Sequence, residues 1–418
     1  MTADGAVRRE SVARRESAGP TDGSGAEAPP GAVTEARDGT VTAARVVTGS
    51  AVHAPGWVSF EGGRITAVGS GAPETAPTRD LGEATLVPGF VDVHVHGGGG
   101  ADYTEGSLDR ARLAAAAHRG RGTTTGMASL VTDTPERLLA GVRMLAGLVG
   151  AGEVRGIHLE GPWLSPARAG AHDPSLLRAP GPSEIDALIE AGEGSLAMVT
   201  LAPELPGAID AIARLTAAGV RVAVGHTDAD YATARRAIDA GATIATHLFN
   251  AMRPLHHREP GPVLALLEDP RVAIELIADG THLHPELARW AADRAGADRA
   301  MLVTDAMGAA VCGDGDYRLG ALDVEVEGGV ARLVGSETIA GSTATMDGLF
   351  RAWVRGAERH GDDAEDALLA AVRMTAANPA RALGWSEVGD LAQGRLMDAA
   401  VLDGELRVVE VLRAPRLR

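Results

Sequence analysis

The sequence predicts an α/β protein: a (β/α)8 barrel of the TIM type with a small discontinuous β-sandwich formed by both ends of the chain. Three observations lead there. Through the middle of the chain, short apolar runs of strand character alternate with Ala-, Leu- and Arg-rich helical stretches, the pattern of repeated βα units on a parallel sheet. Near both ends, β-type runs are broken instead by Gly-Gly and Pro turns. The chain's 418 residues, 45% of them hydrophobic, suffice for one large domain and one small one.

Taken in order, residues 1–38 are rich in Gly, Ala, Pro, Glu and Arg without apolar periodicity, and read as a disordered tail. Residues 39–87 form the first part of the sandwich, with runs such as Ala44-Arg45-Val46-Val47, Gly56-Trp57-Val58-Ser59-Phe60 and Arg64-Ile65-Thr66-Ala67-Val68. Residues 391–418 supply its second part, through Ala399-Ala400-Val401-Leu402 and the run from Leu406 to Leu412. Residues 88–390 are the inserted barrel. Its eight strands are expected at 91–96, 123–130, 154–159, 197–201, 220–225, 243–248, 273–278 and 300–303. In such a barrel the chemistry gathers where the strands end.

Composition removes several function classes. With a formal net charge of -17, the overall field repels nucleic acid and anionic membranes, so an anionic ligand needs local positive groups. Cys312 is the only cysteine, which excludes an intrachain disulfide and a thiolate metal cluster and fits a reducing cytoplasm. The arginine pairs Arg8-Arg9 and Arg14-Arg15 are followed by polar and proline-rich residues without an apolar core, so no targeting segment is expected, and no run is apolar enough to span a bilayer. Lysine is absent altogether, so neither a Schiff-base lysine nor a carbamylated bridging lysine can operate.

Six residues stand where a barrel would place catalytic groups. His94 and His96 end the first strand, Glu160 follows the third, His226 the fifth, His247 ends the sixth and Asp305 follows the eighth. Alternate strand residues share a face, so His94-Val95-His96 turns both imidazoles inward. Imidazole nitrogen and carboxylate oxygen are the donors of a catalytic zinc or similar divalent ion. Singly, each residue has an ordinary explanation: a hydrogen-bonded histidine pair for the first strand, helix caps for Glu160 and Asp305. Their joint position at one barrel mouth is what favours a site. His53, His118 and His360 are read as solvated.

The motifs Pro88-Gly89-Phe90-Val91-Asp92-Val93-His94-Val95-His96-Gly97, Gly156-Ile157-His158-Leu159-Glu160-Gly161-Pro162-Trp163, Gly170-Ala171-His172, Val224-Gly225-His226-Thr227, Thr246-His247-Leu248-Phe249-Asn250-Ala251-Met252, Arg258-Glu259-Pro260-Gly261, Ala278-Asp279-Gly280-Thr281-His282, Val303-Thr304-Asp305-Ala306 and Ile339-Ala340-Gly341-Ser342 resemble, in order and spacing, the N-acetylglucosamine-6-phosphate deacetylases of the amidohydrolase superfamily. The resemblance runs from about Ala44 to the C-terminus. It implies Glu160, His226 and His247 as ligands of the essential metal. Members that keep both first-strand histidines hold a second ion and others bind one; this chain keeps His94 and His96, and Glu160 would bridge. The expected cofactor is a divalent metal, zinc before others, with one or two ions per subunit.

The same resemblance makes Asp305 the general base and later the acid. It gives His172 and His282 to the sugar and its acyl group and counts Ala171 among the substrate-binding residues. Asn250, the Ala251 N–H and Arg258 fall to the 6-phosphate, and Ile339, Ala340 and Gly341 to the acyl pocket. Arginine suits a phosphate because its planar fork donates two parallel charge-assisted bonds. The implied reaction is hydrolysis of the N-acetyl amide of N-acetylglucosamine 6-phosphate to glucosamine 6-phosphate and acetate, in amino-sugar catabolism and cell-wall sugar recycling. The implied partner is a second copy of the chain, offering the phosphate-binding arginine across a homodimer interface. Another cyclic amidase or acyl-amino-acid hydrolase of the superfamily is the alternative; it shares the His-x-His strand but does not call for Arg258 and Asn250-Ala251. A non-catalytic sugar-phosphate sensor would have lost Asp305 or a metal ligand, and this chain has lost neither.

Overall fold

The computed structural model describes residues 31–415. Eight strands run in sequence order around one parallel sheet: β1 (Phe90–Asp92), β2 (Thr123–Val131), β3 (Gly156–Glu160), β4 (Leu196–Leu201), β5 (Arg221–Val224), β6 (Ala242–Ala245), β7 (Ala273–Leu276) and β8 (Ala300–Leu302). A parallel bridge between Val95 and Ala306, just past the ends of β1 and β8, nearly closes the sheet into a barrel.

Alternation along each strand sorts its residues between two environments. Met127 of β2 points inward and packs with Met198, Ala223, Ile244 and Met301 in the barrel interior. Its neighbours Ala128 and Leu130 face the outer helices. The helix Pro135–Gly150 shows why those helices form and stay. Thr134 caps it by accepting from the Arg137 N–H, Pro135 occupies the first turn, and Leu138, Val142, Leu145 and Leu148 recur at helical spacing on one buried face. Each such leucine contributes roughly 2 kcal/mol on burial. At the barrel end opposite the site, Asn378 donates to the carbonyls of Ala297 and Ala300, and Ala376, Ala380 and Leu383 join the interior cluster as its floor.

Both chain ends build the second unit. A six-stranded mixed sheet combines Ala32–Glu35, Arg45–Val47, Val52–His53 and Thr85–Pro88 with Ala399–Leu402 and Val408–Arg413, and a four-stranded sheet carries Gly39–Ala43, Gly56–Glu61, Arg64–Ser70 and Arg79–Asp80. Val41, Val58, Phe60 and Ile65 of one sheet share a core with Val46, Leu86, Val401 and Leu412 of the other.

Several expectations need correction. The tail was expected to reach Asp38, yet Ala32–Glu35 is the edge strand of the six-stranded sheet, parallel to Glu410–Arg413. Its side chains are mostly exposed, so backbone pairing with a distant strand creates it and local hydrophobicity gives no sign. Residues 1–30, the rest of that expected tail, lie outside the described residues. Strand β1 stops at Asp92 and β6 at Ala245, so His94, His96 and His247 lie beyond the strands and not at their ends. The single bridge at Val95 preserves the expected alternation there. A further three-stranded antiparallel sheet, Gly315–Leu319, Leu322–Glu327 and Val330–Leu333, is inserted after β8 and packs Val324, Val326 and Ala331 against Val131 and Met307.

Candidate metal centre

The loops at the C-terminal ends of the strands bring His94, His96, Glu160, His226, His247 and Asp305 into one buried cluster. Their donor atoms fall into two groups, His94, His96, Glu160 and Asp305 in one and Glu160, His226 and His247 in the other. Glu160 is common to both. Its Oε1 lies 3.1 Å from His226 Nε2 and 3.0 Å from His247 Nε2, while its Oε2 lies 3.2 Å from His96 Nε2. Asp305 Oδ1 lies 3.2 Å from His96 Nε2 and 3.4 Å from His94 Nε2.

Backbone conformation aims these groups. His226, His247 and Asp305 all adopt positive φ, at 47°, 26° and 48°, as does Ala251 at 49°. Non-glycine residues in this region carry strain that the surrounding structure must hold in place, and such outliers concentrate at functional sites. Asp305 is fixed from both sides, its N–H donating to the His94 carbonyl at 2.8 Å and its carbonyl accepting from Ser342 at 2.7 Å. Gly170, at φ 57°, passes so near His226 that an added Cβ would sit 3.0 Å from the imidazole Cε1, so a side chain there would crowd the ring.

Tautomers decide whether the cluster fits a cation. His226 Nδ1 is 2.9 Å from the Arg168 carbonyl, which can only accept, so Nδ1 carries the proton. Its Nε2 then faces Glu160 Oε1, a pairing that needs a positive charge, proton or cation, at or between the two atoms. His94 repeats this: Nδ1 donates to Glu275 Oε2 at 3.1 Å, and Nε2 faces Glu160, Asp305 and His96 Nε2, the last at 3.1 Å. Converging lone pairs in a dry site repel one another unless a positive charge stands between them. The residues therefore fit divalent metal, and the shared carboxylate with two ligand groups suits a binuclear site.

Electrostatics agree. Burial opposes the protonation of His94 and His96, yet the carboxylates of Glu160 and Asp305 outweigh it, raising His94 well above the usual imidazole range and His96 to about 9. Conversely, burial would raise Glu160 and Asp305, but the surrounding imidazoles hold both far below the usual carboxylate range. Without an ion, protons take the place the cation would fill. His158 packs edge-on against His94 at 4.6 Å between ring centroids and is pinned by Ser129 and Thr200; burial keeps it neutral.

A cavity of about 410 Å³ opens over the cluster. Ala171, His172, Asn250, Ala251, His282, Ile339 and Gly341 line it together with His96, Glu160, His226, His247 and Asp305. His172 Nδ1 accepts from the Thr132 N–H, which leaves Nε2–H pointing at Glu160 Oε2 at 3.3 Å, and burial lowers its pKa to about 4. His282 is oriented by Asp279, which contacts both its ring Nδ1 and its backbone N–H at 2.8 Å; Asp279 raises its pKa against the effect of burial. Two expected residues stand apart. Ala340 is fully buried against the inserted sheet, and Arg258 is exposed beside His257, outside the cavity lining.

Sequence reasoning missed Arg168, which lines the cavity, pairs with Asp228 at 2.7 Å and orients His226 through its carbonyl. It also missed Leu319, Glu337 and Thr338, which the inserted sheet and its connection bring to the rim. His118, read as solvated, is buried with Nε2 at 2.7 Å from the Gly97 carbonyl. Glycine's missing side chain at Gly98 gives it that room.

A nearly closed parallel barrel whose mouth gathers four histidines and two carboxylates defines a metal-site hydrolase of the amidohydrolase type. The sequence profile of the amidohydrolase family matches residues 85–416. An N-acetyl-D-glucosamine-6-phosphate deacetylase variant from Mycobacterium smegmatis, solved in complex with N-acetyl-D-glucosamine-6-phosphate, superposes with a TM-score of 0.88 at 52% identity, covering 90% of this chain and 98% of that one. The N-acetylglucosamine-6-phosphate deacetylase of Rattus norvegicus is 39% identical over 344 residues, 79% of this chain and 82% of the relative. The N-acetylgalactosamine-6-phosphate deacetylase of Escherichia coli O157:H7 is 38% identical over 332 residues, 78% and 85% of the two chains. The chain belongs to the amidohydrolase superfamily and, within it, to the N-acetylglucosamine-6-phosphate deacetylases. Among the described residues no helix is long and apolar enough to cross a membrane.

Proposed function

We propose that the chain hydrolyses the acetamide of N-acetylglucosamine 6-phosphate to glucosamine 6-phosphate and acetate. The observation that carries this reading is the placement of Asp305, a buried carboxylate held ionised at the edge of the ligand cluster and lining a cavity of about 410 Å³.

Glu160, His226 and His247 would hold the essential ion, and His94 and His96 would offer a second position, with Glu160 common to both groups. Zinc suits this mixture of imidazole and carboxylate. A divalent ion held there would supply a water made nucleophilic near neutrality and a positive charge for the amide carbonyl. Asp305 accepts the proton that the attacking water loses and returns it to the amine nitrogen as the C–N bond breaks, so no net proton is consumed within the site. His172 offers its Nε2–H, and His282 a ring held by Asp279, to the acyl oxygen and sugar hydroxyls. Ile339 and Gly341 enclose the methyl group.

At the other side of the cavity Asn250, anchored to the His247 carbonyl at 3.3 Å, and Ala251 receive the phosphate. Since Arg258 is exposed and absent from the cavity lining, the phosphate arginine in this reading is offered by a second copy of the chain in a homodimer. The product amino sugar phosphate feeds amino-sugar catabolism and the recycling of cell-wall sugars.

The likeness to a galactosamine-type deacetylase favours a second substrate, the galacto epimer. One assay addresses both readings: acetate release by zinc-loaded protein from N-acetylglucosamine 6-phosphate, its unphosphorylated parent and N-acetylgalactosamine 6-phosphate. Turnover of the phosphorylated gluco sugar well above the parent supports the proposal; no release from any of the three overturns it.

A further inference from the structure

Glu275 lies in the middle of β7, fully buried, in a run whose neighbours Ile274 and Leu276 are apolar. Strand alternation turns those neighbours toward the helices and Glu275 into the barrel. Burying a carboxylate there costs several kcal/mol unless it is engaged by hydrogen bonds or charge. Its Oε2 is engaged twice: it accepts from His94 Nδ1 at 3.1 Å and from the His247 N–H at 3.2 Å. Its Oε1 is buried with no hydrogen-bond partner. No part of the acid-base reading above uses this group.

The geometry gives it one. An imidazole can bind a metal through either nitrogen, and the hydrogen bond at the other nitrogen decides which. A carboxylate oxygen can only accept, so Glu275 fixes the proton of His94 on Nδ1 and leaves Nε2 to converge with His96 Nε2, Glu160 and Asp305. The negative charge behind the ring also makes Nε2 a stronger donor to a cation. His96 has no such support, since its Nδ1 is buried and unpartnered. We propose that Glu275 is a positioning residue that makes His94 an Nε2 ligand and thereby sets how tightly the His94 and His96 position holds its ion. The proposal rests on the reading of that position as a metal site.

The test is a double-mutant cycle on zinc binding, measured by chelator-buffered titration and elemental analysis of metal-free and reloaded protein. Glu275→Gln keeps the volume and an acceptor oxygen but removes the charge. It should weaken one of two zinc ions by about 10- to 100-fold, the range found for the loss of such outer partners, and leave the ion of Glu160, His226 and His247 in place. In a His94→Asn background the same change should have no further effect, because the two residues act as one unit. Circular dichroism and thermal melts of the metal-free proteins report folding. Should Glu275→Gln fail to fold, Glu275→Asp, which keeps the charge and shortens the reach, takes its place with the same expectation. Unchanged zinc affinity in Glu275→Gln together with a defect in His94→Asn overturns the proposal alone, as does an additive loss in the double variant. Wild type and His94→Asn binding zinc identically would overturn the metal-site reading and the proposal with it.

Discussion

His226 turns its Nε2 toward Glu160 Oε1 at 3.1 Å in a buried site, while its Nδ1 is held by the Arg168 carbonyl. A cation held by the imidazoles and the carboxylate would tie separate loops together, so metal should stabilise the fold as well as supply chemistry. Stripping the protein with a chelator should lower its melting temperature by several degrees, and zinc at a hundredfold excess over its Kd should restore about 2.7 kcal/mol. Scanning fluorimetry with and without zinc measures this. Identical melting of stripped and reloaded protein would speak against a metal site at these residues.

Ligand grouping leads to a second expectation. Replacing His94 by Gln and His96 by Asn removes two donors of one group and none of the other. Bound metal per chain should fall while the Glu160, His226 and His247 position remains filled. Equal metal content in variant and wild type would leave a single-ion enzyme.

Not all of this could be read ahead. His94-Val95-His96 was readable because a period of two is local, and a histidine pair in an apolar strand is conspicuous. Glu275 carried a comparable signal that went unused: a lone carboxylate inside Ala273-Ile274-Glu275-Leu276 must be paired once the strand is buried. The inserted sheet also had its sign, the strict alternation Leu322-Asp323-Val324-Glu325-Val326-Glu327, which buries only Val324 and Val326. Arg168 had none, since it meets His226 only through the folding of two separate loops. The strand Ala32–Glu35 likewise depends on its pairing with Glu410–Arg413.

The stability of the framework depends on pH through Asp269. Its carboxylate accepts from Arg271 at 2.8 Å and from Arg235 at 2.9 Å, and the Arg271 hydrogen bonds lower its pKa from 3.8 to about 2. A lowered folded-state pKa means stability that is complete above 3.8 and disappears as pH falls through about 2. Asp269→Asn should therefore cost between about 1 and 2 kcal/mol at pH 7, allowing for the solvent exposure of both arginines. The deficit should shrink as pH drops below about 4. Paired denaturation curves from pH 7 to pH 3 check it; a deficit independent of pH would assign the effect to packing.

Arg258 tests the assembly. Arg258→Ala should raise KM for the phosphorylated sugar by tenfold or more, since a charge-assisted contact contributes about 2 kcal/mol, and should leave the unphosphorylated sugar nearly unaffected. Equal damage to both substrates would mark Arg258 as structural. A monomer in sedimentation with full phosphate selectivity would contradict its delivery from a partner subunit.

The most direct test falls on Asp305. Asn in its place keeps the shape and leaves the backbone bonds of residue 305 to His94 and Ser342 intact, so a purely structural role predicts near-normal turnover. A proton acceptor cannot survive the change, because an amide takes up no proton near neutrality. The measurement is kcat of Asp305→Asn on N-acetylglucosamine 6-phosphate, taken on protein shown by elemental analysis to carry the Glu160, His226 and His247 ion and by melting to be folded. The account predicts a loss of at least about 10²-fold in kcat. A folded, metal-loaded variant that turns over at the wild-type rate would contradict it.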